Sequence, residues 1–380
     1  MAAKKEAGEA APKQIREYDA ETMQKIQALA AALLEEINKG ENLHIDIPVR
    51  GSSNVTFNEK TKKIELGDKF ARRYLFNVAH ARRFMQTLLV ASYVKKDLLE
   101  NNLTATLRDL YYAKKHTIPG TKEDTIDEQK ESDLAIVDFE VALDTFRERL
   151  HLRAEPKGRI AGQMVVTDRV KDKVDTIDLS KMGSGGWAVP SIVEQVEFKD
   201  IDAEYVLVAE KNAIFDRLNE DAYWAKQKCL LMTTGGQAAR GARRLLKRLS
   251  SELNLPIYCL TDADPYGWYI YSTMKYGSMA LAHESDRLGS KEMKFLGMSI
   301  SDIEHYDLRS VTIKAKEVDI KRAEEMKAYD WFKAPAWQRE INKFLDKKIK
   351  AEIQSLSSKN LQYISTTYLP EKIKSQDFLP

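Results

Sequence analysis

The sequence predicts an α/β chain of more than one domain, in which a helical region precedes a parallel sheet. Three observations carry that reading. At 380 residues the chain is longer than a single core ordinarily organises, given roughly 150 residues per domain. Continuous apolar runs at 205–210, 230–234 and 256–262 alternate with helical segments, as strands covered on both faces do. Upstream of them, apolar residues recur at helical spacing in several stretches.

Composition sets the class. Lys and Arg number 60 against 58 Asp and Glu, a net charge of +2, which excludes affinity built on bulk positive charge but not on local patches. With 43% hydrophobic and 31% charged residues, the chain can form a sizeable core, which excludes global disorder. No run approaches the roughly 18 apolar residues of a membrane span, and the first twenty residues hold no apolar segment of a secretory signal. Two cysteines, Cys229 and Cys259, build no disulfide framework and point to a reducing cytoplasm. The six histidines are scattered without a His-x-x-x-His pair, so a zinc site is not expected.

In chain order, residues 1–14 read as a disordered tail. Met23, Ile26, Leu29, Leu33, Leu34 and Ile37 form the apolar side of a helix over 18–38, which Gly40 stops. Alternation over 43–66, around Asn58-Glu59-Lys60, suggests a small hairpin. Helices are expected over 69–100, 106–115 and 126–150, broken by Asn101-Asn102 and Pro119-Gly120. Short strands with a glycine turn follow at 158–166. Three helices and then a small β-hairpin is the order of a winged-helix domain. The Gly-rich stretch 181–190 reads as a connection. Helices over 213–226 and 238–253 separate the strands of the sheet, and residues 318–355 are mainly helical. The expected partition is 1–68, an amphipathic and hairpin segment; 69–190, the winged-helix domain; and 191–380, the parallel-sheet domain with its C-terminal helices.

Three features could carry chemistry. Glu210 ends the first strand, and Asp262 and Asp264 end the third within Thr-Asp-Ala-Asp-Pro-Tyr-Gly. Ligands of open parallel sheets bind beyond the carboxyl ends of the strands. Carboxylates gathered there repel one another unless a cation lies between them, and an all-oxygen set favours Mg²⁺. Acidic residues at strand ends also serve as plain turn residues or helix N-caps. Second, Thr233-Thr234-Gly235-Gly236-Gln237 precedes a helix bearing Arg240, Arg243, Arg244, Lys247 and Arg248 along one side, either a phosphate-backbone contact or a solvated face. Third, in Leu107-Arg108-Asp109-Leu110-Tyr111-Tyr112-Ala113-Lys114-Lys115, Arg108 and Tyr112 are helical neighbours at i and i+4. A guanidinium or metal beside a phenol favours the phenolate and a pentavalent phosphate, and a tyrosyl phosphodiester preserves bond energy for resealing. The tyrosines could equally be packing aromatics of a DNA-recognition helix.

The combination resembles the A subunits of DNA topoisomerase VI and their relative, the meiotic double-strand-break transesterase. The matching residues are Arg108-Asp109-Leu110-Tyr111-Tyr112, then Val208-Ala209-Glu210-Lys211, then Thr261-Asp262-Ala263-Asp264-Pro265-Tyr266-Gly267, with Lys350-Ala351-Glu352-Ile353 and Tyr368-Leu369-Pro370-Glu371-Lys372-Ile373 further on. The resemblance covers about residue 70 to the end, and the motifs occur in the family's order. It implies that the parallel domain is a toprim domain whose Glu210, Asp262 and Asp264 hold Mg²⁺. It implies that Tyr112, rather than Tyr111, is the nucleophile that makes a transient 5′-phosphotyrosyl double-strand break, with Arg108 as charge stabiliser.

The resemblance further implies a homodimer, since two strands need two tyrosines. No Gly-x-x-x-x-Gly-Lys-Ser/Thr loop is present, and the resemblance implies that ATP is hydrolysed by a separate B subunit in an A₂B₂ heterotetramer. The helix bearing Met23, Ile26, Leu29, Leu33 and Ile37 is then a candidate docking element for that ATPase. Candidate contacts to double-stranded DNA are Arg82, Arg83, Lys114, Lys115, Arg240, Arg243, Arg244 and Lys247. A toprim nuclease or primase with a structural Tyr112, and a non-catalytic DNA-binding module, are the alternatives from the residues alone.

Overall fold

A computed structural model describes residues 10–170 and 173–380. The tail expected over 1–14 lies outside these for residues 1–9, and from Ala10 the chain is already helical. The chain divides into two compact units. One comprises the described residues up to Thr56 with Leu66–Glu155; the other comprises Phe57–Glu65 with Pro156–Pro380. Among the described residues no helix is long and apolar enough to cross a membrane.

In the first unit α1 (Ala10–Lys39) turns its apolar side onto its own unit. Ile26 is buried with Val90, Val94, Leu98, Leu110, Ile136 and Phe139, and Leu33 with Ile45, Ile47 and Phe84; Met23 and Leu29 flank these clusters. Four of the five anchors expected to reach a partner therefore contribute to the unit's own core, and of the expected apolar set only Leu34 and Ile37 are exposed. A helix buries its stripe wherever apolar surface is nearest, and spacing alone does not say where that is.

Strand β1 (His44–Pro48) is followed by a hairpin of β2 (Val55–Asn58) and β3 (Lys63–Leu66), then β4 (Phe70–Tyr74), which pairs antiparallel with β1 from His44↔Tyr74 to Pro48↔Phe70. The helix expected from residue 69 therefore starts later, as α2 (Val78–Tyr93), because β1 draws residues 70–74 into a ladder. Asn77 caps α2 by accepting the Ala79 N–H at 3.0 Å. After β5 (Ala105–Thr106) come α3 (Leu107–Lys114), α4 (Gln129–Ala142) and β6 (Leu152–Arg153), which pairs with β5. The helix expected to 150 ends at Ala142, where Asp144 takes a left-handed φ of 45° and the Thr145 N–H bonds the Glu140 carbonyl at 2.9 Å.

Beyond Phe57–Glu65, the second unit runs on from Pro156 with β7 (Arg159–Ala161), β8 (Met164–Val170), β9 (Lys173–Asp178), β10 (Trp187–Ala188) and β11 (Glu197–Ile201). The strands expected at 158–166 form, but they do not close the helical region as a wing. Strand β7 joins the main sheet, whereas β8 lies between β9 and β11 in a separate antiparallel sheet. Gly162 makes the exit between them: at φ 143° a Cβ there would stand 2.9 Å from the Cys229 carbonyl oxygen. Residues 156–190, grouped with the helices on sequence, thus lie with the second unit.

The main sheet adds β12 (Tyr205–Ala209), β13 (Cys229–Thr233), β14 (Ile257–Leu260) and β15 (Lys294–Gly297), in the order β10-β7-β13-β12-β14-β15. The four late strands are parallel; β7 runs antiparallel to β13, and β10 pairs antiparallel with β7. All five residues of β12 and of β13 are buried, as strands covered on both faces must be. Between them run α5 (Asn212–Glu220) and α6 (Tyr223–Lys226); α7 (Arg240–Leu253) and α8 (Pro265–Tyr276) follow β13 and β14.

Candidate active site

The first functional element is α3. Thr106 starts it by accepting the Asp109 N–H at 3.1 Å, while the Asp109 carboxylate accepts the Thr106 N–H at 2.8 Å, a reciprocal capping box. Leu110 anchors the helix in the core. On the opposite side Arg108 and Tyr112 are exposed, one turn apart, and Tyr112 keeps 63% of its surface free. Its neighbour is held. The Tyr111 hydroxyl donates to the Asp127 carbonyl at 3.1 Å and accepts from Lys115 Nζ at 3.1 Å, and Lys115 also donates to that carbonyl at 3.0 Å. The two rings lie 4.9 Å apart, so Tyr111 props Tyr112 from behind.

The second element is the carboxyl edge of the parallel sheet. The register Ala209↔Leu260 brings the ends of β12 and β14 side by side, and the Glu210 N–H donates to the Leu260 carbonyl at 3.0 Å. Asp262 is buried. Its Oδ1 accepts the Ile353 N–H at 3.0 Å and its Oδ2 lies 2.7 Å from Lys211 Nζ. Asp264 caps α8, accepting the Gly267 N–H at 2.8 Å, and its other oxygen lies 3.8 Å from Lys350 Nζ. Gly267 is required there, since a Cβ would come within 2.8 Å of the Asp262 carbonyl oxygen. The Gly loop after β13 closes one side, with the Gly236 N–H donating to the Glu210 carbonyl at 2.8 Å.

Electrostatics mark Glu210 as the strained member. Burial, and then the charges of Asp262 and Asp264, push its carboxyl up to about 7. Its Oε2 is buried with no hydrogen-bond partner among the described residues. Burial also raises the Asp264 carboxyl. Partly buried carboxylates that repel one another, one with an orphaned oxygen, are the hard all-oxygen donor type that a divalent cation takes, although as they stand the three do not all bring an oxygen within 4.8 Å of one another. Lys211, Lys350 and Glu352, not singled out on sequence as site residues, complete the arrangement. Lys211 Nζ is 3.1 Å from Glu352 Oε2, and Lys350 Nζ is 3.0 Å from Asp319 Oδ2. Their signal was position, inside the stretches around Glu210 and Ile353 that carry the family resemblance.

The expected basic contacts divide. Lys114 ends α3, with its ammonium 4.9 Å over the Tyr93 ring and 3.5 Å from Asp97, and Lys115, just past the helix, is held by the Tyr111 hydroxyl and the Asp127 carbonyl. Arg82 pairs with Asp127 at 2.6 Å and Glu131 at 3.2 Å; Arg83 lies 3.4 Å from Asp138. On α7, Arg240 is buried against Glu284 at 2.7 Å, Arg244 meets Glu194 at 3.0 Å and Lys247 is half-buried. Arg243 is buried, and burial lowers its guanidinium to about 10. The expected exposed basic face of α7 is thus largely internal: Arg240 and Arg244 meet carboxylates that accept from their planar donors, whereas Arg243 Nε and Nη2 are buried with no hydrogen-bond partner among the described residues. Tyr112 and Arg108 belong to the first unit, and the carboxylates to the second.

Comparison with known proteins agrees with this division. Residues 205–373 match the toprim domain of the topoisomerase 6 A-subunit/Spo11 family; residues 82–152 match the family described as type IIB DNA topoisomerase; and residues 155–202 match the all-beta domain in DNA topoisomerase VI alpha subunit. The type 2 DNA topoisomerase 6 A-subunit of Pyrococcus abyssi is 45% identical over 97% of this chain and 98% of its own length. That of Saccharolobus shibatae is 44% identical over 91% and 93%, and that of Methanocaldococcus jannaschii 36% over 93% and 94%. The second unit carries a toprim domain, a fold that generally binds a divalent metal. The chain belongs to the A-subunit family of topoisomerase VI, the type IIB DNA topoisomerases, which are enzymes.

Proposed function

We propose that this chain is the DNA-cleaving subunit of a topoisomerase VI, with Tyr112 as nucleophile. The phenolic oxygen of Tyr112 attacks a backbone phosphorus, the P–O3′ bond breaks, and a 5′-phosphotyrosyl link forms. The phenolic proton is lost to solvent, and the 3′ oxygen leaves protonated as a hydroxyl; resealing is the reverse. Arg108, one helical turn away, stabilises the negative charge that grows on the phosphate. Lys114 and Lys115 hold the flanking backbone. Glu210, Asp262 and Asp264 hold Mg²⁺, which when bound supplies Lewis-acid stabilisation at the scissile phosphate.

The first unit, on this reading, is a DNA-binding domain of the winged-helix type that presents α3 to the duplex, with the strands at 158–166 taking no part as its wing. Two copies of the chain cut the two strands, the tyrosine of one working with the carboxylates of the other. Strand passage, relaxation and decatenation follow, driven by ATP hydrolysed on a separate B subunit in an A₂B₂ heterotetramer, in the cytoplasm.

The observation that carries the reading is the contrast on α3: Tyr111 has a tethered hydroxyl, and Tyr112 is exposed beside Arg108. The test is denaturant trapping of covalent protein–DNA adduct with the full chain and its ATPase partner. Wild type and Tyr111→Phe should form adduct and Tyr112→Phe should not. Adduct from Tyr112→Phe but not from Tyr111→Phe would move the nucleophile by one residue. Mg²⁺-dependent nicking without any adduct would favour a toprim nuclease.

A further inference from the structure

Lys211 follows Glu210 directly, in extended backbone ahead of α5. Its ammonium has three donors and finds three acceptors: Asp262 Oδ2 at 2.7 Å, Glu352 Oε2 at 3.1 Å and Gln354 Oε1 at 3.2 Å. The lysine side chain is about three-quarters buried and Asp262 is buried, so solvent screens that pair weakly, whereas the Glu352 side chain is about half exposed. The same Asp262 carboxylate is fixed on its other oxygen by the Ile353 N–H. Both oxygens of Asp262 are therefore engaged, one by a backbone N–H and the other by the lysine, so a cation that reaches this carboxylate meets the lysine there. Lys350 stands differently, 3.8 Å from Asp264 and nearer to Asp319, so Lys211 is the tight cation of the cluster.

We propose that Lys211 is a built-in counter-cation that competes with the divalent metal for Asp262, and that Glu352 and Gln354 form the perch that receives its ammonium when the metal binds. This inference depends on the reading of Glu210, Asp262 and Asp264 as metal ligands. Its physical content is a charge balance. Two cations that share one carboxylate oxygen repel each other, so the metal-binding state has Lys211 withdrawn toward Glu352. The lysine holds the buried carboxylates together in the absence of metal, and it lowers metal affinity in doing so. Lys211 is a positioning residue here, and its effect is seen in binding without reference to turnover.

The test is Mn²⁺ uptake by the full chain, followed by the electron paramagnetic resonance of free Mn²⁺, with no DNA and no turnover. K211Q, which keeps a hydrogen-bond donor but no charge, should bind Mn²⁺ about tenfold more tightly than wild type. K211R, which keeps the charge, should stay near wild type. E352Q removes the perch and should weaken binding, and that loss should disappear in the K211Q/E352Q double variant, because Glu352 acts through Lys211. If K211Q misfolds, K211M gives the same charge change and is read in the same way. Unchanged or weaker Mn²⁺ binding by a folded Lys211 variant would overturn the proposal while leaving the metal site intact. Wild type that binds no more Mn²⁺ than D262A would remove the metal-site reading itself, and this inference with it.

Discussion

Tyr111 and Tyr112 are consecutive on α3 yet differ in what their hydroxyls can do: Tyr111 donates to the Asp127 carbonyl at 3.1 Å, whereas Tyr112 is 63% exposed. A phenol that must reach a phosphate has to be free to move toward it, and one that ties down a loop has not. Tyr112→Phe should abolish covalent adduct and shift stability by less than about 0.5 kcal/mol, since an exposed hydroxyl is removed. Tyr111→Phe should retain adduct but cost about 1 kcal/mol, through the lost bonds to Asp127 and Lys115. Urea melts run beside the trapping assay measure both.

Glu210 should show the opposite balance of stability and activity. Its carboxyl is buried and repelled by Asp262 and Asp264, and its Oε2 has no partner among the described residues. Glu210→Gln keeps the shape and removes the charge. In chelator at pH 8 the variant should be about 1–3 kcal/mol more stable than wild type, and cleavage should be lost. A melt no higher than that of wild type in chelator would mean that the cluster is not under repulsion.

A pH-dependent contact holds α1. His151 Nε2 lies 2.9 Å from Asp19 Oδ1 and its Nδ1 lies 2.9 Å from the Leu103 carbonyl. Burial pushes the imidazole pKa down, but the Asp19 carboxylate and the Leu103 carbonyl more than offset it, so the folded value lies above the usual 6.5. A raised folded value means stabilisation that is full below the unfolded pKa and is lost as pH rises through the folded one. The stability difference between wild type and Asp19→Asn should therefore be largest near pH 6, on the order of 1 kcal/mol, and shrink by pH 9. A difference that stays flat over this range would show that the contact does not depend on the imidazolium.

The sheet and the acidic edge were legible in the sequence for one physical reason. Strands such as Tyr205–Ala209 are buried on both faces, so their apolar run is continuous, and the residues just after the run lie at the sheet edge. Glu210, Asp262 and Asp264 were found that way. Pairing partners are not written in local patterns. Nothing in Arg159–Ala161 says that it will add to β13 and not form a wing, and Phe70–Tyr74 becomes a strand only because His44–Pro48 lies beside it. The apolar side of α1 was legible as a stripe, but its burial against Val90 and Phe84 depends on residues far along the chain. The same holds for the α7 arginines, whose partners Glu284 and Glu194 lie distant in sequence.

Arg248 turns that last point into a measurement. Its guanidinium makes a bidentate pair with Glu252, at 2.6 and 3.0 Å, and donates to the Val193 carbonyl and, at 2.7 Å, to the Val196 carbonyl, with the Phe198 ring 4.7 Å away. These contacts bind the segment before β11 to α7 and leave the group little to offer a phosphate. Arg248→Ala strands buried carbonyls and removes the cation from the Phe198 face, so it should cost about 2–4 kcal/mol. The slope of log affinity against log salt for duplex DNA should not change, because no counterion-releasing contact is lost. Arg108→Ala is the contrasting case: an exposed side chain on α3, small cost to the fold, and a salt slope shallower by about one phosphate contact. Filter-binding titrations over roughly 50 to 200 mM salt compare the two. If Arg248→Ala flattens the slope as much as Arg108→Ala does, the α7 arginines reach DNA after all, and their burial in the free chain is opened on binding.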